Sequence, residues 1–128
     1  MVARILVVED NPLNLKLVRD VLEYQGFEVL TAISGEEGVA VASSSSPDLV
    51  LMDLQLPGIG GHEALLRMRS NPRCREIPVV AVTAFAMKHD RDRFLAWGFD
   101  GYIEKPISVR DFPGQVAALL ADREGAHG

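Results

Sequence analysis

The chain has 128 residues, enough for one domain with a real core, and its 48% hydrophobic and 24% charged content is that of an ordinary globular protein. A net charge of −5 argues against nucleic acid as a direct partner, because phosphates call for a basic surface, but it leaves a cation open. One cysteine, Cys74, excludes an internal disulfide, and no stretch is long and apolar enough to span a membrane, so a cytoplasmic protein is expected.

Arg4-Ile5-Leu6-Val7-Val8 is an apolar run that ends at Glu9-Asp10 and reads as a buried strand with acid at its carboxyl end. Asn11 then caps a helix with Pro12 in its first position; Leu15, Val18 and Leu22 supply the period, and Gly26 stops it. Residues 27–31 alternate and suit an outer strand. A second helix is expected over 36–43, capped by Ser34, with Pro47 preventing its continuation. Leu49-Val50-Leu51-Met52 runs straight into Asp53, as in a strand buried on both faces, and Leu54-Gln55-Leu56-Pro57-Gly58 turns the chain away. A third helix is expected over 63–69.

Residues 78–83 form another apolar strand, ending in the hydroxyl of Thr83. A charged fourth helix is expected over 87–97, closed by Gly98. A fifth strand over 99–104 leads into Lys105-Pro106, a bond compatible with a cis peptide. The last helix is expected over 108–121, with Ser108 and Asp111 at capping-box spacing. Pro113 then falls past its first turn and costs a backbone hydrogen bond. The domain is expected to span 1–123, with a short polar tail at 124–128.

Five alternations of strand and helix imply an α/β, doubly wound parallel sheet. The most apolar strands belong in the centre and the mixed ones at the edges. Right-handed crossovers then give the five-stranded order 2-1-3-4-5, a flavodoxin-like arrangement. Ligands of such sheets bind where the chain reverses, outside the carboxyl ends of strands one and three. Glu9, Asp10 and Asp53 fall there.

Three converging carboxylates repel one another unless something positive joins them. Mg²⁺ suits that role, with a few oxygen ligands, waters and a phosphate. Asp10 and Asp53 are the best direct ligands. Glu9 binds directly or through water, and the Gln55 backbone carbonyl is best placed to complete the protein share. Thr83 and Lys105 end neighbouring strands and offer a hydroxyl and an ammonium to a phosphoryl oxygen. Asp53 can act as a carboxylate nucleophile and form an acyl phosphate. Alone, each of these residues has an ordinary structural reading; their joint placement carries the information. Tyr102 is either a half-buried packing aromatic or a rotamer switch that moves inward with Thr83. Trp97 and Phe99 read as packing, and His62, His89 and His127 share no ligand spacing.

The chain resembles receiver domains of two-component response regulators, the CheY-like family. The resemblance rests on Glu9-Asp10-Asn11, on Leu51-Met52-Asp53-Leu54-Gln55-Leu56-Pro57, on Thr83-Ala84 and on Tyr102-Ile103-Glu104-Lys105-Pro106. Glu9 to Asn14 and Val80 to Met87 look most like DivK-type single-domain regulators. It implies that Asp53 accepts a phosphoryl group from a histidine kinase or phosphotransfer protein, by self-catalysed transfer rather than as a conventional enzyme. It implies Mg²⁺ among Glu9, Asp10, Asp53 and Gln55, with Thr83 and Lys105 on the phosphoryl group. It further implies that Tyr102 reports phosphorylation to a downstream effector on the surface of helix four, strand five and helix five. Gln55 and Phe85 lie where such domains tune dephosphorylation. One departure is Gly60-Gly61, where many receivers carry Asp-Gly.

Three other readings compete. An Asp-nucleophile phosphatase usually has a second Asp two residues on, where this chain has Gln55. A flavin binder wants a Ser/Thr-rich loop that the Asp53 turn lacks. A receiver cut from a hybrid kinase keeps the fold and changes its context; Met1 and the ordinary tail favour a stand-alone regulator.

Overall fold

The computed structural model describes residues 2–84 and 88–127, and their side chains apart from those of 88–89 and 122–127. In chain order the elements are β1 (Arg4–Val8), α1 (Pro12–Tyr24), β2 (Glu28–Ala32), α2 (Gly35–Ser45), β3 (Leu49–Asp53), α3 (Gly61–Arg69), β4 (Val79–Thr83), α4 (Lys88–Trp97), β5 (Gly101–Glu104) and α5 (Phe112–His127). The strands form one parallel sheet in the order β2-β1-β3-β4-β5. That is the expected order, and the mixed strands do lie at its edges.

Strand alternation explains why the central strands are apolar throughout. Ile5, Val7, Leu49, Leu51, Val80 and Val82 pack against Val18 and Leu22 of α1 and Phe112 and Val116 of α5. Leu6, Val8, Val50, Met52, Val79 and Ala81 pack on the opposite face against Ala42 of α2, Leu65 and Met68 of α3 and Phe94 of α4. Successive residues thus fill two cores, so no position in β3 or β4 can be polar until the strand ends. Each large side chain buried this way contributes about 1.5–3 kcal/mol.

The expected caps at the starts of α1 and α2 form. Asn11 Oδ1 accepts the N–H groups of Leu13 and Asn14 at 3.0 and 3.1 Å, and Ser34 Oγ accepts that of Glu37 at 3.1 Å. Gly26 ends α1 at φ +94°. Several boundaries differ from expectation. α2 continues through Ser45, because only Pro47 forbids another turn; Ser46 takes a left-handed conformation and donates its N–H to Ala42 O at 3.1 Å.

α3 begins at Gly61 rather than at Glu63. A Cβ on Gly61 would lie 2.6 Å from Asp53 O, so the chain leaves the strand too tightly for any other residue. Gly60 has no such constraint, and α3 starts without a side-chain cap.

The expected cost of Pro113 does not arise. Residues 109–111 form a turn closed by Ser108, whose carbonyl accepts the Phe112 N–H at 2.8 Å. α5 starts only at Phe112, so Pro113 lies in its first turn, where an N–H has no intrahelical partner to lose. The helix then runs to His127, through residues that read as polar tail.

Candidate functional site

The parallel register brings the acids together. Val8 pairs with Met52, so Glu9 and Asp53 follow side by side at the carboxyl ends of β1 and β3. Glu9 is held there by its N–H, which donates to Ala32 O at 3.0 Å. Oxygens of Glu9, Asp10 and Asp53 all lie within 4.8 Å of one another. Glu9 and Asp53 are buried and Asp10 is exposed.

Lys105 reaches this cluster from the end of β5. Its Nζ donates to Glu9 Oε1 at 3.0 Å and to Asp53 Oδ2 at 2.9 Å. The other Asp53 oxygen, Oδ1, accepts the Gln55 N–H at 3.0 Å. Lys105 N–H bonds to Thr83 O at 2.8 Å, which extends the β4–β5 ladder and fixes where the side chain sets out. The Lys105–Pro106 peptide is cis.

The three groups share charge unequally. Burial lifts the Glu9 carboxyl above its ordinary 4.5, and the neighbouring Asp53 lifts it further; Lys105 only partly offsets them. Burial also works against an ionised Asp53. Its hydrogen bonds to Glu9, Gln55 N–H and Lys105 outweigh that and hold it below its ordinary 3.8. Burial disfavours the Lys105 ammonium too, but Asp53 and Glu9 together raise it above 10.5. Glu9 and Asp53 therefore titrate as a pair, with Glu9 shifted up and Asp53 shifted down.

The cluster fits a hard cation. Among the described residues one ammonium, that of Lys105, faces the three carboxylates, and no donor there reaches the buried Glu9 Oε2. An unpaired buried oxygen costs about 1–3 kcal/mol, or more when charged, and an oxygen-seeking ion at that point removes the cost. Gln55 lies on the exposed loop two residues beyond Asp53. Phe85 falls outside the described residues.

Thr83 is buried at 2% exposure at the end of β4. Ala81 pairs with Tyr102, so alternation assigns Thr83 and Tyr102 to the same face of the sheet, the one covered by α2, α3 and α4. Tyr102 is half-buried, and the Arg91 guanidinium lies 5.0 Å above its ring. That contact has no signature in the chain, because nothing in the spacing of 91 and 102 links α4 to β5. Trp97 packs as expected, stacked on His62 with ring centroids 3.9 Å apart. Cys74 is buried, which raises its thiol pKa.

A profile described as the response regulator receiver domain matches residues 5–117. The polar-differentiation response regulator DivK of Brucella ovis is 44% identical over 122 residues, covering 95% of this chain and 99% of that one. Among solved structures, a CheY-like response regulator receiver domain protein from Methanospirillum hungatei JF-1 superposes with a TM-score of 0.88 at 29% identity, covering 98% and 99% of the two chains. The receiver domain of a sensor histidine kinase from Pseudomonas aeruginosa PAO1, with a magnesium ion coordinated in its active-site cleft, gives a TM-score of 0.85 at 30% identity, covering 94% and 99%.

Proposed function

The chain belongs to the response regulator receiver family, and from that premise we propose that it is a phosphorylation switch whose acceptor is Asp53. The observation that carries the reading is the Asp53 carboxylate, buried at a strand end yet kept ionised by its neighbours Glu9, the Gln55 N–H and Lys105. Such a group is a ready nucleophile in a site that otherwise disfavours charge.

An Asp53 oxygen attacks the phosphorus of a phosphohistidine on a histidine kinase or phosphotransfer protein. The new O–P bond forms as the N–P bond breaks, and the imidazole leaves and takes up a proton. Lys105 shifts from the two carboxylates toward the transferred group, where it offsets the charge of the phosphoryl oxygens. Thr83 supplies a hydroxyl to the same group. Glu9, Asp10, Asp53 and the Gln55 carbonyl would hold Mg²⁺, which supplies further charge neutralisation at the phosphoryl oxygens.

A groove of about 280 Å³ opens beside Lys105, lined by Leu17, Ala84, Pro106 and Ile107, and its apolar lining next to the acceptor site supports docking of the donor protein there. The output is a change in which protein is bound, read from Tyr102 on the surface of α4, β5 and α5. The similarity to DivK, named a polar-differentiation response regulator, spans 99% of that protein, which supports a response-regulator role for this domain. Incubation with Mg²⁺ and acetyl phosphate tests the reading. Wild type gains one phosphoryl group by mass, and Asp53→Ala gains none. Equal labelling of the two proteins, or none of either, overturns it.

A further inference from the structure

Glu36 takes no part in the acid cluster, yet its carboxylate lies against the loop that follows Asp53. Its Oε1 accepts the Ile59 N–H at 3.3 Å. Gly58, at φ +74°, passes so close that a Cβ there would lie 2.5 and 2.6 Å from the two Glu36 oxygens. Gly35 repeats the approach from the other side: a Cβ on it would lie 2.6 Å from Ile59 O and 2.6 Å from Ile59 Cγ1. The first turn of α2 and residues 58–59 therefore interlock, with two glycines allowing contact and one carboxylate fastening it.

The same loop is tied at its start to the phosphoacceptor. Gln55 N–H donates to Asp53 Oδ1 at 3.0 Å, and Gly61 N–H donates to Leu54 O at 3.2 Å. Glu36 is the fastening on the far side. We propose that Glu36 is a positioning residue for phosphorylation: by holding Ile59 it fixes the loop that aims Gln55 at Asp53. This rests on the switch reading and adds a residue to it. An acid in the first turn of a helix also favours that helix through its dipole. That role alone stabilises α2 and leaves Gln55 where it is.

The test compares amide NMR spectra of the metal-free chain with Mg²⁺ titrations of the same samples. Glu36→Ala is expected to shift the amide signals of both Ile59 and Gln55 and to weaken Mg²⁺ binding about tenfold, the usual scale for an outer partner of a metal site. Glu36→Gln retains an acceptor oxygen at the same reach and is expected to restore the Gln55 signal and most of the affinity. Glu36→Asp keeps the charge and the helix-start preference but withdraws the carboxylate by one methylene, so it should behave like Glu36→Ala. Should Gln55 and Mg²⁺ affinity stay unchanged in Glu36→Ala, or Glu36→Asp match wild type, the proposal fails. Equal losses in Glu36→Gln and Glu36→Ala also overturn it, because charge rather than the hydrogen bond is then responsible. Phosphate uptake by wild type is scored in parallel. No uptake refutes the switch, whereas normal uptake with an unmoved Gln55 refutes only the positioning.

Discussion

Each end of the sheet sets a cation against carboxylate, one acid at the amino end and three at the carboxyl end, and the two differ in whether the hydrogen bonds close. At the amino end of β4, Arg69 Nη1 donates to Arg75 O at 3.0 Å and Ile77 O at 2.7 Å. Its Nη2 donates to Gly98 O at 3.3 Å and Asp100 Oδ2 at 2.8 Å. Asp100 Oδ2 accepts the Val79 N–H as well, at 2.8 Å. One guanidinium thus ties the end of α3 to the start of β4 and to the α4–β5 turn. At the carboxyl end, one lysine serves two buried acids with a third close by, and among the described residues no donor reaches Glu9 Oε2. A closed network acts as a staple. An open one retains the capacity to bind something, which is what a site requires.

Three substitutions can break or sharpen that contrast. Lys105→Ala has the largest expected effect: loss of the ammonium beside the transferred group should slow phosphorylation by acetyl phosphate about 10²–10³-fold. A rate within a factor of about three of wild type would show that the lysine is as dispensable to chemistry as a staple residue.

Arg69→Ala should do the opposite. It removes four hydrogen bonds, three of them to backbone carbonyls, and with the pair partly exposed the expected loss is about 2 kcal/mol in urea melts. Phosphorylation per folded molecule should not change. If it does, the two ends are coupled and the contrast is false.

Glu9→Gln has the smallest effect and tests the open end directly. The folded state raises the Glu9 carboxyl above 4.5, so its contribution to stability is present below that pH and is lost as pH rises through the folded value. Replacing it with a neutral amide should therefore stabilise the metal-free protein at neutral pH and raise its Tm. The gain should vanish as pH falls below 4.5, where Glu9 is already protonated. Thermal melts in a chelator across that range check the sign. Added Mg²⁺ should then stabilise wild type more than the variant.

The order of elements, the central and edge strands, and the acids at the strand ends were legible in the chain. Apolar runs buried on two faces have a strong signature, and Asp53 and Glu9 stand where such runs stop. Parallel pairing needs only the crossover rule to bring those ends together. Boundaries set by tight backbone approach were less visible. Gly61 is required because a Cβ would meet Asp53 O, a fact about a carbonyl eight residues earlier that no local pattern expresses. The harmlessness of Pro113 depended on where the α5 helix truly starts, which the Ser108 turn decided.

Periodicity and the residue types at the strand ends are local properties, so they determined the doubly wound fold and nominated Asp53, Thr83 and Lys105 from sequence alone. Pairings across many residues are not local. The Arg91 guanidinium over Tyr102, the Glu36 carboxylate on Ile59 and the burial of Glu9 Oε2 arise only when separate elements pack. Their energies depend on distances of a few ångströms between side chains that sequence spacing does not relate, and tertiary structure alone sets those distances.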